Sequence, residues 1–374
     1  MSSLRLVSMM AVLAWTSSVA LSAEQKAVVT LEIGAQAPDF NLPGVDDRDH
    51  RLADFAEAKI LVVVFTANHC PTAQAYEGRI MKLAADYKDK GVAVVAISPN
   101  DPFAVRLDEL GYTDLGDSFE DMKLRAAERH FNFPYLYDGR TQAVSLAYGP
   151  VSTPHVFVFN KQRRLQYTGA IDNAEDPNKV KTPYVRQAIE SLVQGSEVAT
   201  KKTKTFGCSI KWADKRKSVE KALQDWAKEP VAINPIDANG VRDLMKNPSK
   251  KLRLVNVWAT WCGPCVIEVP ELVTINRMYR NRAFEMVTLS GDTPSHKDDV
   301  LAFLKDKQVS CTNTLFTSDD KTALMDAVDQ AWQGAIPYTV IVKPGGEILY
   351  RHAGPIDPLE VKKVIIGYLG RYYF

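Results

Sequence analysis

Cysteine is scarce in this chain. Five residues, Cys70, Cys208, Cys262, Cys265 and Cys311, are spread over 374 positions, too few for a disulfide scaffold even in an exported protein. They are therefore expected to be chemical rather than structural. An odd count leaves at least one thiol free or paired with another molecule. No second C-x-x-C and no H-x₃₋₅-H accompanies the one C-x-x-C, which removes the usual zinc knuckle, and the lack of C-x-x-C-H removes covalent haem. No metal or other cofactor is expected. Charge of one sign is also lacking: 46 Lys and Arg face 45 Asp and Glu. Without a basic face or arm no nucleic-acid partner is expected. The run Lys201–Lys217 reads instead as a solvated linker. Beyond the first residues no apolar run approaches the ~20 residues of a membrane span.

One apolar stretch does stand at the start. Arg5 precedes residues 6–21, and small residues follow at Ala20 and Ala23, the pattern of an export signal over residues 1–23. The remainder is then expected to be soluble and periplasmic, or otherwise exported. It would be membrane-tethered if the signal stays uncleaved.

Two halves repeat one order of elements. "KILVVVFTA" (59–67) and "LRLVNVWAT" (252–260) are continuous apolar runs, suited to strands buried on both faces. A helix follows each, from about Pro71 and from Pro264. Then come a second strand, a helix, a proline (Pro154, Pro337), a hairpin and a closing helix. Each hairpin ends in G-x-I-D, at Gly169–Asp172 and Gly354–Asp357. This pattern predicts an α/β chain with domains over 24–195 and 233–374. Residues 196–232 serve as linker and lead-in helix.

Cys262 and Cys265 lie at a strand-to-helix junction. The free N–H groups and dipole of a helix start favour a thiolate at the first cysteine, and the second is placed one turn on to resolve a mixed disulfide. Cys262 is the expected nucleophile and Cys265 the resolver. On "VNVWATWCGPC", "AIPYTVIV" and "GGEILYRHAG" this half resembles the thioredoxin superfamily and, within it, TlpA/ResA-like thiol-disulfide oxidoreductases. That resemblance implies a central mixed sheet flanked by helices. It also implies a cis Pro337 beside the cysteines, with Ile336 offering backbone to a substrate chain. Asn256 stands where cytoplasmic thioredoxins carry an aspartate, while Glu268, in C-x-x-C-x-x-E, becomes the expected proton acceptor. Trp261 is expected to shape the substrate surface.

The first half holds one cysteine at its junction, in "FTANHCPTAQAYE". On "APDFNLPG", the apolar strand and "VSTPHVFVF" it resembles the redoxin (AhpC/TSA, peroxiredoxin-like) branch. Under that resemblance Cys70 takes the second position of C-x-x-C and Ala67 the first. Three readings stay open: a peroxide-reducing Cys70 recycled by the second domain, a Cys70–Cys208 pair that bridges or relays, and a non-catalytic docking module. His69 is a candidate to support a thiolate, though a capping or surface role is the commoner one. Cys311 is read as a small buried hydrophobe. The expected function is an exported dithiol oxidoreductase reducing disulfides of other exported proteins, apocytochrome c among them. Its electrons would come from a membrane thiol reductase or a thioredoxin-like donor.

Overall fold

The computed structural model describes residues 28–374, and the expected export signal lies outside them. A short hairpin, β1 (Asn41–Pro43) and β2 (Asp49–Arg51), leads into the first domain. Its elements run β3 (Ile60–Phe65), α1 (Pro71–Tyr87), β4 (Val92–Ser98), α2 (Phe119–Arg129), β5 (Tyr135–Tyr137), α3 (Ala143–Tyr148), β6 (His155–Phe159), β7 (Leu165–Gly169) and α4 (Tyr184–Val193). After α5 (Arg216–Trp226) come β8 (Asn234–Ile236), α6 (Ala238–Lys246), β9 (Leu252–Trp258), α7 (Gly263–Tyr279), β10 (Phe284–Ser290) and α8 (Lys297–Asp306). The chain closes with β11 (Thr312–Phe316), α9 (Lys321–Val328), β12 (Tyr338–Val342), β13 (Ile348–Ala353) and α10 (Pro358–Leu369).

The strands form two separate mixed sheets, ordered β5-β4-β3-β6-β7 and β13-β12-β9-β10-β11-β8. In each, the central strand runs parallel to the next strand in sequence and antiparallel to the strand after the proline. Every residue of β3 and β9 is buried, because helices cover both sheet faces and leave no polar side to alternate. Side chains still alternate between the faces. Leu252 and Leu254 pack toward α7, α8 and α10, and Val255 and Val257 toward α6 and α9. Asn256 belongs by this alternation to the α7 face.

Two expectations need correction. Each domain contains an additional strand–helix pair before its proline, β5–α3 and β11–α9. "YLY" and "TNTLF" are too short or too polar to show as buried strands in the sequence, and their neighbours in the sheet define them. The basic run after α4 is not a solvated linker throughout. Lys202 bridges Thr168 and Cys208 bridges Thr153 by backbone pairing, and Ile210 and Lys211 are buried. Lys211 N–H donates to Asn100 Oδ1 at 2.9 Å and its ammonium meets Glu109 at 2.5 Å, so that charge is paired rather than solvated.

The domains also meet each other. Arg371, beyond α10, holds the fully buried carboxylate of Asp114 through two bonds of 2.6 and 2.7 Å. Tyr279, at the end of α7, donates to the carbonyl of Thr113 at 2.7 Å.

Candidate active site

Cys262 caps α7, and Cys265 lies one turn inside it. Their sulfurs are joined at 2.03 Å, and the Cys265 N–H points at Cys262 Sγ from 3.3 Å. Cys265 is fully buried and Cys262 nearly so. The Ile336–Pro337 bond is cis and sets the Ile336 carbonyl oxygen 3.7 Å from Cys262 Sγ. Trp261, by contrast, is 70% exposed. With Ile336, Leu324, Met325 and Trp332 it lines a shallow apolar groove beside the disulfide.

Behind the cysteines, Glu268 is buried. Its carboxylate accepts from Asn256 Nδ2 at 2.9 Å and from the Ile356 N–H at 3.1 Å. Asn256 also donates to Thr339 Oγ1 at 3.0 Å. Burial raises the Glu268 pKa above the usual carboxylate range, against the opposing pull of those two donors. A carboxyl held in this way can take or give a proton closer to neutrality than a solvated one.

The first domain repeats the frame with different chemistry. Cys70 caps α1, is 0% exposed, and lies 3.2 Å from the Thr153 carbonyl oxygen beside the cis Thr153–Pro154 bond. The Ala73 N–H points at its sulfur from 3.4 Å, as Cys265 N–H does at Cys262. Helices α1 and α7 each span 17 residues and both end in tyrosine. By helix register, therefore, Cys70 matches Cys262, Ala73 matches Cys265 and Tyr76 matches Glu268. This corrects the expected alignment, in which Ala67 stood for the first cysteine. The sheets give the same register: Phe65 and Val257 pair with His155 and Tyr338, the residues after the two cis prolines, and Cys70 and Cys262 each follow five positions later.

His69 is neither a cap nor a surface residue. It is buried, with Nδ1 2.5 Å from Asp117 Oδ2. Asp117 also accepts from the backbone N–H groups of Asn68 and His69 and from Asn100 Nδ2. Burial disfavours both charges, yet their mutual attraction prevails: His69 is raised and Asp117 lowered. Burial likewise opposes a Cys70 thiolate. The Cys208 thiol, the His69 charge and the Ala73 N–H outweigh it and bring Cys70 down to about 6. Cys208 is pushed upward, first by its hydrogen bond to Cys70 and then by burial. Cys70, Cys208 and Cys311 are free thiols. Cys311 is partly buried against the second core and pushed up to about 12 by burial.

Family comparisons agree with this pair of folds. Residues 33–168 match the AhpC/TSA family and residues 238–365 match Redoxin. The chain is 31% identical over 154 residues to the thiol:disulfide interchange protein DsbE of Allochromatium vinosum, covering 38% of this chain and 79% of that protein. It is 31% identical over 116 residues to the thiol:disulfide interchange protein HelX of Rhodobacter capsulatus, covering 31% of this chain and 59% of HelX. The crystal structure of a hypothetical protein from Sinorhizobium meliloti superposes with a TM-score of 0.44 at 33% identity, over 50% of this chain and 97% of that one. Across several other curated relatives the chain spans 46–65% of their length. With two domains of this fold and a relative of this kind matched over most of its length, the chain belongs to the TlpA/ResA-like thioredoxin superfamily, as a tandem of redoxin-type domains.

Proposed function

We propose that this protein exchanges electrons with disulfides of other exported proteins through Cys262 and Cys265, acting as a reductant. One observation carries the reading: the two sulfurs are bonded at the start of α7, with the Ile336 carbonyl beside Cys262 and the Glu268 carboxylate buried behind. In the reduced form the Cys262 thiolate attacks a substrate disulfide and releases one substrate thiolate. Cys265 gives its proton to Glu268 and attacks Cys262 Sγ, and the second substrate sulfur leaves as a thiolate. The exposed Trp261 and the apolar groove reaching Ile336 would receive side chains next to the substrate cysteine. Export rests on the sequence of residues 1–23; among the described residues no helix is long and apolar enough to cross a membrane. Relatives named as thiol:disulfide interchange proteins support the reaction class. Apocytochrome c as substrate and a membrane thiol reductase as electron donor extend the same reading.

The test is insulin-disulfide reduction by the reduced protein. Cys262→Ser is expected to abolish it, and Cys265→Ser to accumulate a mixed disulfide with the substrate. A Cys262→Ser protein working at the wild-type rate would overturn the assignment. Equilibration with glutathione gives the direction: a reductant should sit near the ~−270 mV of thioredoxin rather than the ~−120 mV of a strong oxidant.

A further inference from the structure

The two domains differ in what lies beside the residue preceding the cis proline. At Ile336 no backbone bridge forms among the described residues. At Thr153 the place is taken by the chain itself. Cys208 pairs with Thr153 as an isolated antiparallel bridge, and the Thr153 N–H donates to the Cys208 carbonyl at 2.9 Å. The Cys208 N–H in turn points at Cys70 Sγ from 3.4 Å. Gly207 makes the approach possible. Its φ is +132°, and a Cβ there would stand 2.1 Å from the Thr153 carbonyl oxygen, so only glycine fits.

We propose that Cys70 and Cys208 form a second dithiol–disulfide couple, in which the segment Gly207–Cys208 fills the partner position beside cis-Pro154 and supplies the resolving thiol that α1 lacks. It is independent of the chemistry proposed for Cys262 and Cys265. His69 and Asp117 are positioning residues: a buried imidazolium held by a buried carboxylate keeps Cys70 ionised. The substrate class follows from access. Cys70 is fully buried and the partner position is occupied. The place an extended substrate chain would take beside cis-Pro154 is thus filled by the protein's own backbone, and a low-molecular-weight disulfide enters when Gly207–Ser209 lifts. The Cys70 thiolate attacks one of its sulfurs and releases a thiolate. Cys208 passes its proton to that thiolate and attacks Cys70 Sγ, which forms the Cys70–Cys208 bond and releases the second thiolate. Two electrons pass from the protein to the small disulfide.

The experiment equilibrates full-length protein carrying Cys262→Ser, Cys265→Ser and Cys311→Ser with glutathione and glutathione disulfide at graded ratios. Alkylation and peptide mapping follow. The expected result is that both remaining thiols vanish together over a two-electron transition, with a peptide joining Cys70 to Cys208. Independent alkylation at every ratio, or glutathione adducts without the cross-link, overturns the proposal. If the triple variant does not fold, the wild-type protein in the same buffers yields the same peptide and is judged by the same outcomes. A second readout follows iodoacetamide capture of Cys70 against pH, with an expected midpoint near the value of about 6. His69→Asn should move it up by at least one unit, and an unmoved midpoint overturns the role given to His69.

Discussion

Glu268 shows how one residue joins burial to reactivity. It lies one turn beyond Cys265, away from water, with Asn256 and the Ile356 N–H as its only donors among the described residues. Burial is the larger influence, so the carboxyl holds its proton to higher pH than a solvated glutamate. In its proposed role as acceptor for the Cys265 proton it must be ionised, so the resolving step should speed up as pH rises through its titration and then level off. Glu268→Gln is expected to slow that step by ~10²-fold or more at neutral pH, the usual range for a lost general base, and to flatten the profile. Stopped-flow release of a model substrate thiol across pH measures both, and an unchanged rate with an unchanged profile would remove Glu268 from the mechanism. The stability sign runs the other way. A carboxyl with a raised folded-state pKa favours the fold while protonated and loses that contribution as pH rises through it.

Among the elements, the segment after α4 decides what the first domain can do. It is tied down twice by backbone pairing, Lys202 on Thr168 and Cys208 on Thr153, and each approach needs a glycine, Gly169 facing Thr203 and Gly207 facing Thr153. Gly207→Ala is expected to undock Cys208 at a cost of roughly 1–3 kcal/mol, typical of a residue forced into disfavoured backbone space. With tenfold for each 1.4 kcal/mol, alkylation of Cys208 should accelerate by about fivefold to a hundredfold, as timed mass spectrometry would record. Equal rates would mean that the docking does not depend on the glycine. Not all elements were equally legible beforehand. Strands β3 and β9 announce themselves as unbroken apolar runs. β5 and β11 are read only with the sheet in view, because three residues, or five half-polar ones, become strands through their neighbours' hydrogen bonds.

Across the whole molecule the two thiol sites stand apart. Tyr279 and Arg282, at and beyond the end of α7, meet Thr113 and Gly111 of the first domain, whereas Cys262 caps the opposite end of that helix. Seventeen residues at a rise of 1.5 Å put about 25 Å of helix between them. The first-domain site lies close to the interface instead. Gln74, one turn after Cys70, approaches Arg371 at 3.4 Å, and Tyr373 stacks edge-on against Tyr112. Thiol exchange requires sulfur-to-sulfur contact, so the Cys262/Cys265 pair should reduce a Cys70–Cys208 disulfide in a second molecule rather than in its own, by attack on the half-buried Cys208. Its rate is then expected to scale with protein concentration. A rate constant independent of concentration would show that the domains reopen around α5 and close on each other within one chain.

By itself the sequence determined the tandem of two thioredoxin-like folds and the dithiol junction, because apolar runs, prolines and a C-x-x-C act over a few neighbouring residues. The same local reasoning singles out Glu268 as the proposed proton acceptor, and α7 carries it one turn beyond Cys265. The surroundings of the first domain's cysteine, on which its proposed chemistry rests, are set by tertiary packing. His69, next to Cys70, meets Asp117 across 48 residues, and Cys70 meets Thr153 across 83 and Cys208 across 138; no local spacing encodes such pairs. Their proximity is set by how the sheet stacks its loops at one edge. That packing also fixes the register of Cys70 on its helix and turns a polar-looking linker into part of the site.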